Sequence, residues 1–383
     1  MMRPHLPLAV AAAGLATFVN LYTPQAILPA LAQAFGVRPA QTGLAITASL
    51  LAVALVAPFA GAISDVLGRK RLIVGAAVLV IAPTLLVATS RSFSALLAWR
   101  FLQGLLLPFI FTVTVAYIGD ECSGGDAIRA AGMYASGSVA GGFLGRFVAG
   151  VAADFAGWRF GFAAVAGVTA LAAAVVAATL PRERNFRPVR GGLRAMLGGW
   201  REHIANPRLW GVCAVGAAML FSVVATFTFV NLRLAAPPFF LSAAALGSVF
   251  AVYLVGVVTT PLATRAAVRA GRGRTAAVAA GVSVAGELLS LAPSLPLIVL
   301  GLMLACAGLF VAQALALGYI GVAVERARSS AVGLYVAVYY IGGALGAVLP
   351  APVWHGFGWP GCVALVSAVI AAMGAAAALT FRG

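Results

Sequence analysis

Apolar stretches, each about as long as a membrane-spanning helix, recur along the whole chain. A helix needs about twenty apolar residues to cross a bilayer, and it satisfies its backbone polar groups within its own segment. The pattern predicts an all-α membrane protein with twelve spanning helices. They cover residues 6–31, 40–62, 72–90, 93–118, 129–152, 160–180, 207–232, 241–264, 275–292, 296–321, 330–352 and 360–381.

One polar stretch, residues 181–206, is longer than the other connections and separates six predicted spans from six. It is rich in arginine, and its apolar residues are spaced like one face of an interfacial amphipathic helix. We therefore predict an N-terminal six-helix bundle over 1–180, a cytoplasmic linker over 181–206 and a C-terminal six-helix bundle over 207–383.

Composition agrees with this pattern, because 63% of the residues are hydrophobic and only 9% are charged. Soluble domains have about 25% charged residues, so lipid must surround most of this chain. Lysines and arginines concentrate in alternate connections, which places both termini in the cytoplasm. The net charge of +16 is explained by this distribution, without a nucleic-acid partner. The outer connections hold Arg38, Arg91, Arg159 and Arg233.

Residues able to bind metals or perform catalysis are sparse. The four cysteines and three histidines are scattered without metal-ligand spacing, and no Walker A sequence or catalytic motif occurs. We therefore predict no metal, no cofactor and no enzymatic activity.

The two halves contain similar sequences. GMYASGSVAGGFLGRFVAGVAADFAGW, beginning at Gly132, matches GLYVAVYYIGGALGAVLPAPVWHGFGW, beginning at Gly333, at a constant offset of 201. The matches include paired glycines and a final Gly-Trp. This indicates a duplicated six-helix unit, a build common in transporters, whose substrate site lies near the bilayer midplane.

Charge gathers in GAISDVLGRKR, residues 61–71, after the second predicted span. Gly61 predicts close approach to a neighbouring helix, and Gly68 permits a tight turn. Asp65 is placed to accept hydrogen bonds from basic residues or from a facing helix N-terminus. Arg69 and the basic residues after it are placed at the inner headgroups.

This motif, the six-plus-six arrangement and the central loop resemble the major facilitator superfamily over the whole chain. Arg100, Gln103 and Gly104 resemble its R-x-x-Q-G motif, and the sequence from Tyr22 to Pro29 resembles the first span of efflux members. Within the superfamily the chain is most similar to bacterial inner-membrane efflux permeases of the arabinose-efflux and drug:proton antiporter type. The resemblance implies that Asp65 and the basic residue after Gly68 form a gate latch; the second half has Val268 instead of the acid.

Apart from Arg129 and Arg208 at span ends, three charged residues fall within predicted spans. Each costs about 3 kcal/mol or more there and is a functional candidate. The resemblance implies that Arg100 acts in proton transfer or substrate coupling, and the alternative is an arginine that extends to the interface. Arg146 is either functional or an interfacial residue near Asp154. Glu287 lies on the ninth span, an outer-ring helix in this superfamily, and is either interfacial or a proton carrier.

Polar residues in the spans that line the superfamily's cavity are candidates for substrate contact. No acidic residue falls in the interior of those spans, which favours neutral or anionic substrates over cations. The candidates, besides Gln103, are Asn20, Tyr22, Gln25, Asn231, Tyr253, Gln313, Tyr335 and Tyr339.

These observations predict a monomeric secondary transporter in the bacterial inner membrane, with a small molecule and protons as its partners. The expected activity is proton-coupled efflux by alternating access. A passive facilitator, an uptake symporter and a non-transporting sensor of the same fold are the alternatives. The sequence does not identify the substrate.

Overall fold

The computed structural model describes residues 5–186, 203–324 and 328–381. In these ranges the chain forms helices and no strand, so the predicted all-α fold class is confirmed. Most of the predicted linker helix lies outside the described residues. The α-helices are α1 Leu6–Leu21, α2 Leu28–Phe35, α3 Leu44–Leu67, α4 Arg69–Leu79, α5 Ile81–Ala88, α6 Phe93–Glu121, α7 Gly124–Ala156, α8 Trp158–Thr179, α9 Pro207–Ala235, α10 Ala243–Val249, α11 Val255–Ala270, α12 Arg272–Leu289, α13 Leu295–Ala323, α14 Arg328–Gly346 and α15 Pro350–Thr380.

Each of the twelve predicted apolar runs is helical. Among the described residues, nine helices are long and apolar enough to cross a membrane, and a bent pair makes a tenth. The other two runs correspond to α12, which carries three charged residues, and to α14, whose apolar part is short. The twelve-helix arrangement therefore includes two helices that hydropathy alone scores weakly.

The first predicted span is formed by a bent pair of helices and not by one continuous helix. Helix α1 ends at Leu21, a 3₁₀ segment covers Thr23–Ile27, and α2 follows at an angle of 41°. Pro24 has no backbone N–H and cannot continue the hydrogen-bond ladder of α1. The break exposes carbonyls that need other donors.

Glycines bring α7 against the backbone of α1. Gly137, Gly141 and Gly145 are four residues apart and face Ala11, Leu15 and Val19, respectively. A Cβ at any of the three would collide with the facing backbone. Small residues at this spacing allow close helix contact in lipid.

The same contact recurs between α14 and α9. Gly342 and Gly346, which match Gly141 and Gly145 in the sequence repeat, lie against the backbone of Ala217 and Phe221. The internal repeat therefore reproduces a helix contact as well as a sequence pattern.

The chain forms two compact units. Their bounds differ from the predicted division into 1–180 and 207–383, because each unit includes a short segment from the other half of the sequence. The first comprises Met1–Arg38, Leu44–Ala195 and Leu241–Ser248. The second comprises Pro39–Gly43, Met196–Phe240 and Val249–Gly383.

Candidate functional site

Arg100 lies on α6 beside the break after α1 and is fully buried. Its guanidinium donates to the carbonyls of Asn20 at 2.8 Å and Leu21 at 2.6 Å. In an unbroken helix these carbonyls would accept from residues 24 and 25, but Pro24 has no N–H and the amide of Gln25 donates to Tyr22 instead. Arg100 therefore supplies the donors that the break removes.

Two further acceptors complete the surroundings of this guanidinium. Nε of Arg100 donates to the carbonyl of Ala45 on α3 at 3.0 Å, and Nη1 donates to Oε1 of Gln103 at 2.7 Å. Gly104 allows α6 to approach the backbone of Ser49. Full burial excludes the predicted alternative in which Arg100 extends to the interface.

A buried polar network continues from Gln103. Its side-chain amide donates to Thr84 Oγ1 at 2.7 Å and to Asn20 Oδ1 at 3.3 Å. Thr84 donates to the same Asn20 oxygen at 2.8 Å, and Asn20 donates to Thr169 at 2.9 Å. Asn20 and Gln103, predicted as cavity residues, are fully buried within the first unit. They join four helices, α1, α5, α6 and α8.

A second buried arginine, Arg146, reaches the 3₁₀ segment of the first span. Its Nε donates to Gln25 Oε1 at 2.8 Å, Nη1 donates to the carbonyl of Gly142 at 2.5 Å, and the guanidinium lies 4.7 Å from the ring centroid of Tyr22. Arg146 is 2% exposed, so the predicted interfacial alternative is wrong. Asp154, the expected neighbour, instead accepts from backbone amides that begin α10.

The charged motif after α3 forms a compact ionic cluster. Arg69 pairs with Asp65 at 2.6 Å and with Asp120, at the end of α6, at 2.9 Å. Gly68 adopts a φ of +94°, a backbone conformation that favours glycine. The close approach predicted at Gly61 is wrong, because a Cβ there would meet nothing within 4 Å. The carbonyl of Gly61 instead accepts from Ser64 and Arg69.

The beginning of the linker docks on the same end of the first unit. Glu183 accepts from the backbone amide of Lys70 at 3.0 Å, and the Lys70 ammonium donates to the carbonyl of Leu180 at 2.5 Å. Glu121 accepts from two linker amides, those of Arg184 and Asn185. These contacts tie the linker to the motif, and the sequence pattern did not predict them.

Polar and aromatic residues gather on α14 and α13 of the second unit. Tyr339 donates to Gln313 Oε1 at 2.9 Å and stacks on Tyr335 with ring centroids 5.8 Å apart. Tyr335 is 2% exposed, lies against Gly216, and its hydroxyl has no partner among the described residues. Three of the predicted cavity residues are therefore neighbours.

Three aromatic rings surround Tyr253. Phe227 lies 4.7 Å from it, and Phe250 and Phe310 each lie 5.6 Å from it, between ring centroids, all edge to face. Asn231, one turn after Phe227 on α9, is fully buried. The aromatic partners were not predicted, because phenylalanine in an apolar run has no distinguishing signal.

Glu287 is also fully buried, so its predicted interfacial alternative is wrong. Thr226 Oγ1 donates to its Oε1 at 2.6 Å, and its Oε2 has no partner among the described residues. Thr226 was not predicted as a site residue. In the parts of the chain described, no group of three potential ligands could hold a metal ion.

Comparison with known proteins places this arrangement in a family. The model of the Major Facilitator Superfamily matches residues 10–248. The chain is 35% identical to the inner membrane transport protein YnfM of Escherichia coli, over 96% of this chain and 88% of that protein. It is 29% identical to the uncharacterized MFS-type transporter YybF of Bacillus subtilis, over 93% and 88% of the two chains.

A solved structure has the same fold. A bacterial homologue of the human lysosomal transporter Spinster, in an inward-facing and unoccupied conformation, has a TM-score of 0.76 at 17% identity, covering all of this chain and 96% of that one. The chain belongs to the major facilitator superfamily. It is a multi-pass membrane transporter with a small-molecule substrate.

Proposed function

We propose that the protein exports a small neutral or anionic molecule across the bacterial inner membrane, coupled to protons, by alternating access. Residues 1–180 and 207–383 are the two bundles of this cycle, and 181–206 is the cytoplasmic linker. Both termini lie in the cytoplasm, and the protein acts as a monomer. The similarity to an Escherichia coli protein named as an inner membrane transport protein supports the location.

The burial of Arg146 is the observation that supports the proposed substrate class. Arg146 holds a positive charge in a position that is 2% exposed, among Gln25, Tyr22 and a backbone carbonyl. Its guanidinium matches a carboxylate or phosphate in geometry. Arg100 is a second buried guanidinium in the same unit, bound by four neutral acceptors.

Buried acids are scarce in the described part of the chain. Glu287 is the one buried carboxyl there, and the buried guanidinium groups are those of Arg69, Arg100 and Arg146. A lipophilic cation would have no acidic partner in the first unit's interior, whereas an anion or a neutral polar molecule would meet donors. The tyrosines and Gln313 of the second unit suit neutral polar or aromatic groups.

The test is reconstitution into proteoliposomes with an imposed pH gradient and a panel of organic acids, phosphorylated metabolites and uncharged and cationic drugs. We expect gradient-driven flux of an anion or a neutral compound. Arg146→Gln should abolish flux of an anion, and Arg146→Lys should retain part of it. Arg91→Gln is the control, because it removes the same charge from an exposed position.

The alternatives give different results in the same vesicles. Flux that equilibrates the substrate but does not respond to the pH gradient would indicate a passive facilitator. Movement of the substrate in the same direction as the protons, driven by their gradient, would indicate a symporter. Transport of cations alone, insensitive to Arg146→Gln, would contradict the proposed substrate class.

A further inference from the structure

We propose that Glu287, held by Thr226, is the proton-binding site of this transporter and that it is protonated in the conformation described here. The inference rests on the proposed function, because it locates the proton that export would exchange.

Glu287 has too few partners for a charged carboxylate. One oxygen accepts a single hydrogen bond, from Thr226 at 2.6 Å, and the other has no partner within the described residues. The Glu287 side chain is fully buried, and it forms no salt bridge in the described part of the chain. An isolated charge in such a place is so costly that the group neutralises instead.

Arg233 binds the end of the helix that carries Glu287, but its donors go to backbone carbonyls. Arg233, on α9, donates to the carbonyls of Ser290, Leu291 and Ala292 at the end of α12. Trp359 also donates to the carbonyl of Ser290. Arg233 therefore stabilises the end of the helix that carries Glu287 and does not neutralise its carboxylate.

The other titratable groups on the packed helices supply no counter-charge. The thiol of Cys362 on α15 lies within electrostatic reach of Glu287 and is uncharged as a thiol. The remaining titratable residues on α9, α11, α13 and α15 are Arg208, Cys213, Arg265, Arg269, Cys306, Tyr319 and His355. No salt bridge joins any of these cations to Glu287.

Because Glu287 is completely buried, exchange of its proton depends on movement of the surrounding helices. A carboxyl with no exposed surface exchanges its proton only after the surrounding helices rearrange. Thr226 lies on α9, and Glu287 lies on α12, so a shift between these helices would break their hydrogen bond. Loss or uptake of a proton at this pair would then accompany a change of conformation within the second unit.

Infrared difference spectroscopy of the purified protein tests the proposal with the proton as its own probe. In a pH titration the wild type should show the carbonyl stretch of a protonated carboxylic acid at neutral pH, shifted in D₂O. Glu287→Gln, which is nearly isosteric, should lose this band. Thr226→Val should keep the band at a different frequency, because the hydrogen bond to the carboxyl is removed.

Absence of the band in the wild type at neutral pH, or its full retention in Glu287→Gln, would overturn the proposal. Should Glu287→Gln fail to fold, a frequency shift in Thr226→Val gives the same assignment, and no shift contradicts it. In proteoliposomes Glu287→Gln should keep substrate exchange and lose gradient-driven flux. Absence of any flux in the wild type would refute the proposed function and leave the spectroscopic result standing.

Discussion

The two units use one helix-packing scheme, but their interiors carry different ionisable groups. Glycines on α7 and α14 contact α1 and α9 in the same way. In the first unit, buried Arg100 has four acceptors. In the second unit, Leu302 matches Arg100 at the offset of 202 that relates Tyr117 to Tyr319. Leu302 is also fully buried, and the buried acid among the described residues of this unit is Glu287.

The difference follows from the first long helix of each unit, which is α1 in the first unit and α9 in the second. The first span breaks at Pro24 and leaves carbonyls that need a donor, whereas α9 runs unbroken from Pro207 to Ala235. An arginine is needed only where the backbone ladder fails, and leucine suffices where it is intact. At the offset that relates Gly68 to Gly271, Thr84 matches Glu287, so a neutral hydroxyl in one unit corresponds to a carboxyl in the other.

The largest expected effect comes from making the first unit resemble the second. Arg100→Leu should abolish nearly all transport and lower thermal stability strongly. It leaves the carbonyls of Asn20, Leu21 and Ala45 without their donor, at roughly 1–3 kcal/mol for each buried unsatisfied group. Melting in detergent and flux in proteoliposomes would measure both effects.

Two further variants serve as comparisons for Arg100→Leu. Leu302→Met, a volume-conserving change at the equivalent position, should cost less than about 1.5 kcal/mol. Arg100→Lys keeps the charge but loses the planar arrangement of donors, and should lose most of the activity. Unchanged melting and flux in Arg100→Leu would contradict the assigned structural role.

The charged motif gives the next largest effect. Asp65→Asn should nearly abolish transport while membrane insertion stays intact, because it removes the charge that pairs with Arg69 at 2.6 Å. The equivalent position, Val268, is 84% exposed, so Val268→Asn should change little. Flux at matched membrane expression measures both, and normal transport by Asp65→Asn would show that this ion pair does not serve the gate.

The shared glycine contact should respond alike in both units. Gly145→Ala and Gly346→Ala each place a Cβ against the facing backbone, and overpacking of this kind costs about 1–3 kcal/mol. Gly167→Ala is the control, because a Cβ there meets nothing within 4 Å. Thermal unfolding of the three variants would measure the difference; a loss of stability confined to one unit would argue against equivalent packing.

The smallest effect concerns Cys122, the partly exposed member of four free cysteines, between α6 and α7. Burial, with the nearby charges of Asp126 and Glu121, raises the pKa of its thiol. Less thiolate forms at neutral pH, so maleimide should react slowly and faster as pH rises. Asp126→Asn should speed the reaction.

The same thiol tests the orientation of the chain. An impermeant maleimide should label Cys122 in inverted vesicles but not in intact spheroplasts, and Cys122→Ser should show no label at this site. Labelling from outside would overturn the proposed topology.

The hydrophobic pattern was enough to predict the class of fold and the apolar helices, because the bilayer imposes the same length and polarity on every span. The matching sequences of the two halves were enough to predict the internal repeat. The R-x-x-Q-G motif and the loop motif after the second span were enough to indicate the superfamily, because their spacing is specific.

The partners of the buried polar groups were decided only by the tertiary structure. Arg100 was predicted as a coupling residue, yet its donors meet carbonyls freed by Pro24, far away in sequence. Glu287 was left open between the interface and the interior, and its burial depends on α9, α13 and α15. Sequence records which side chains are charged, but the cost of a buried charge depends on what surrounds it, and packing brings those surroundings together from distant segments.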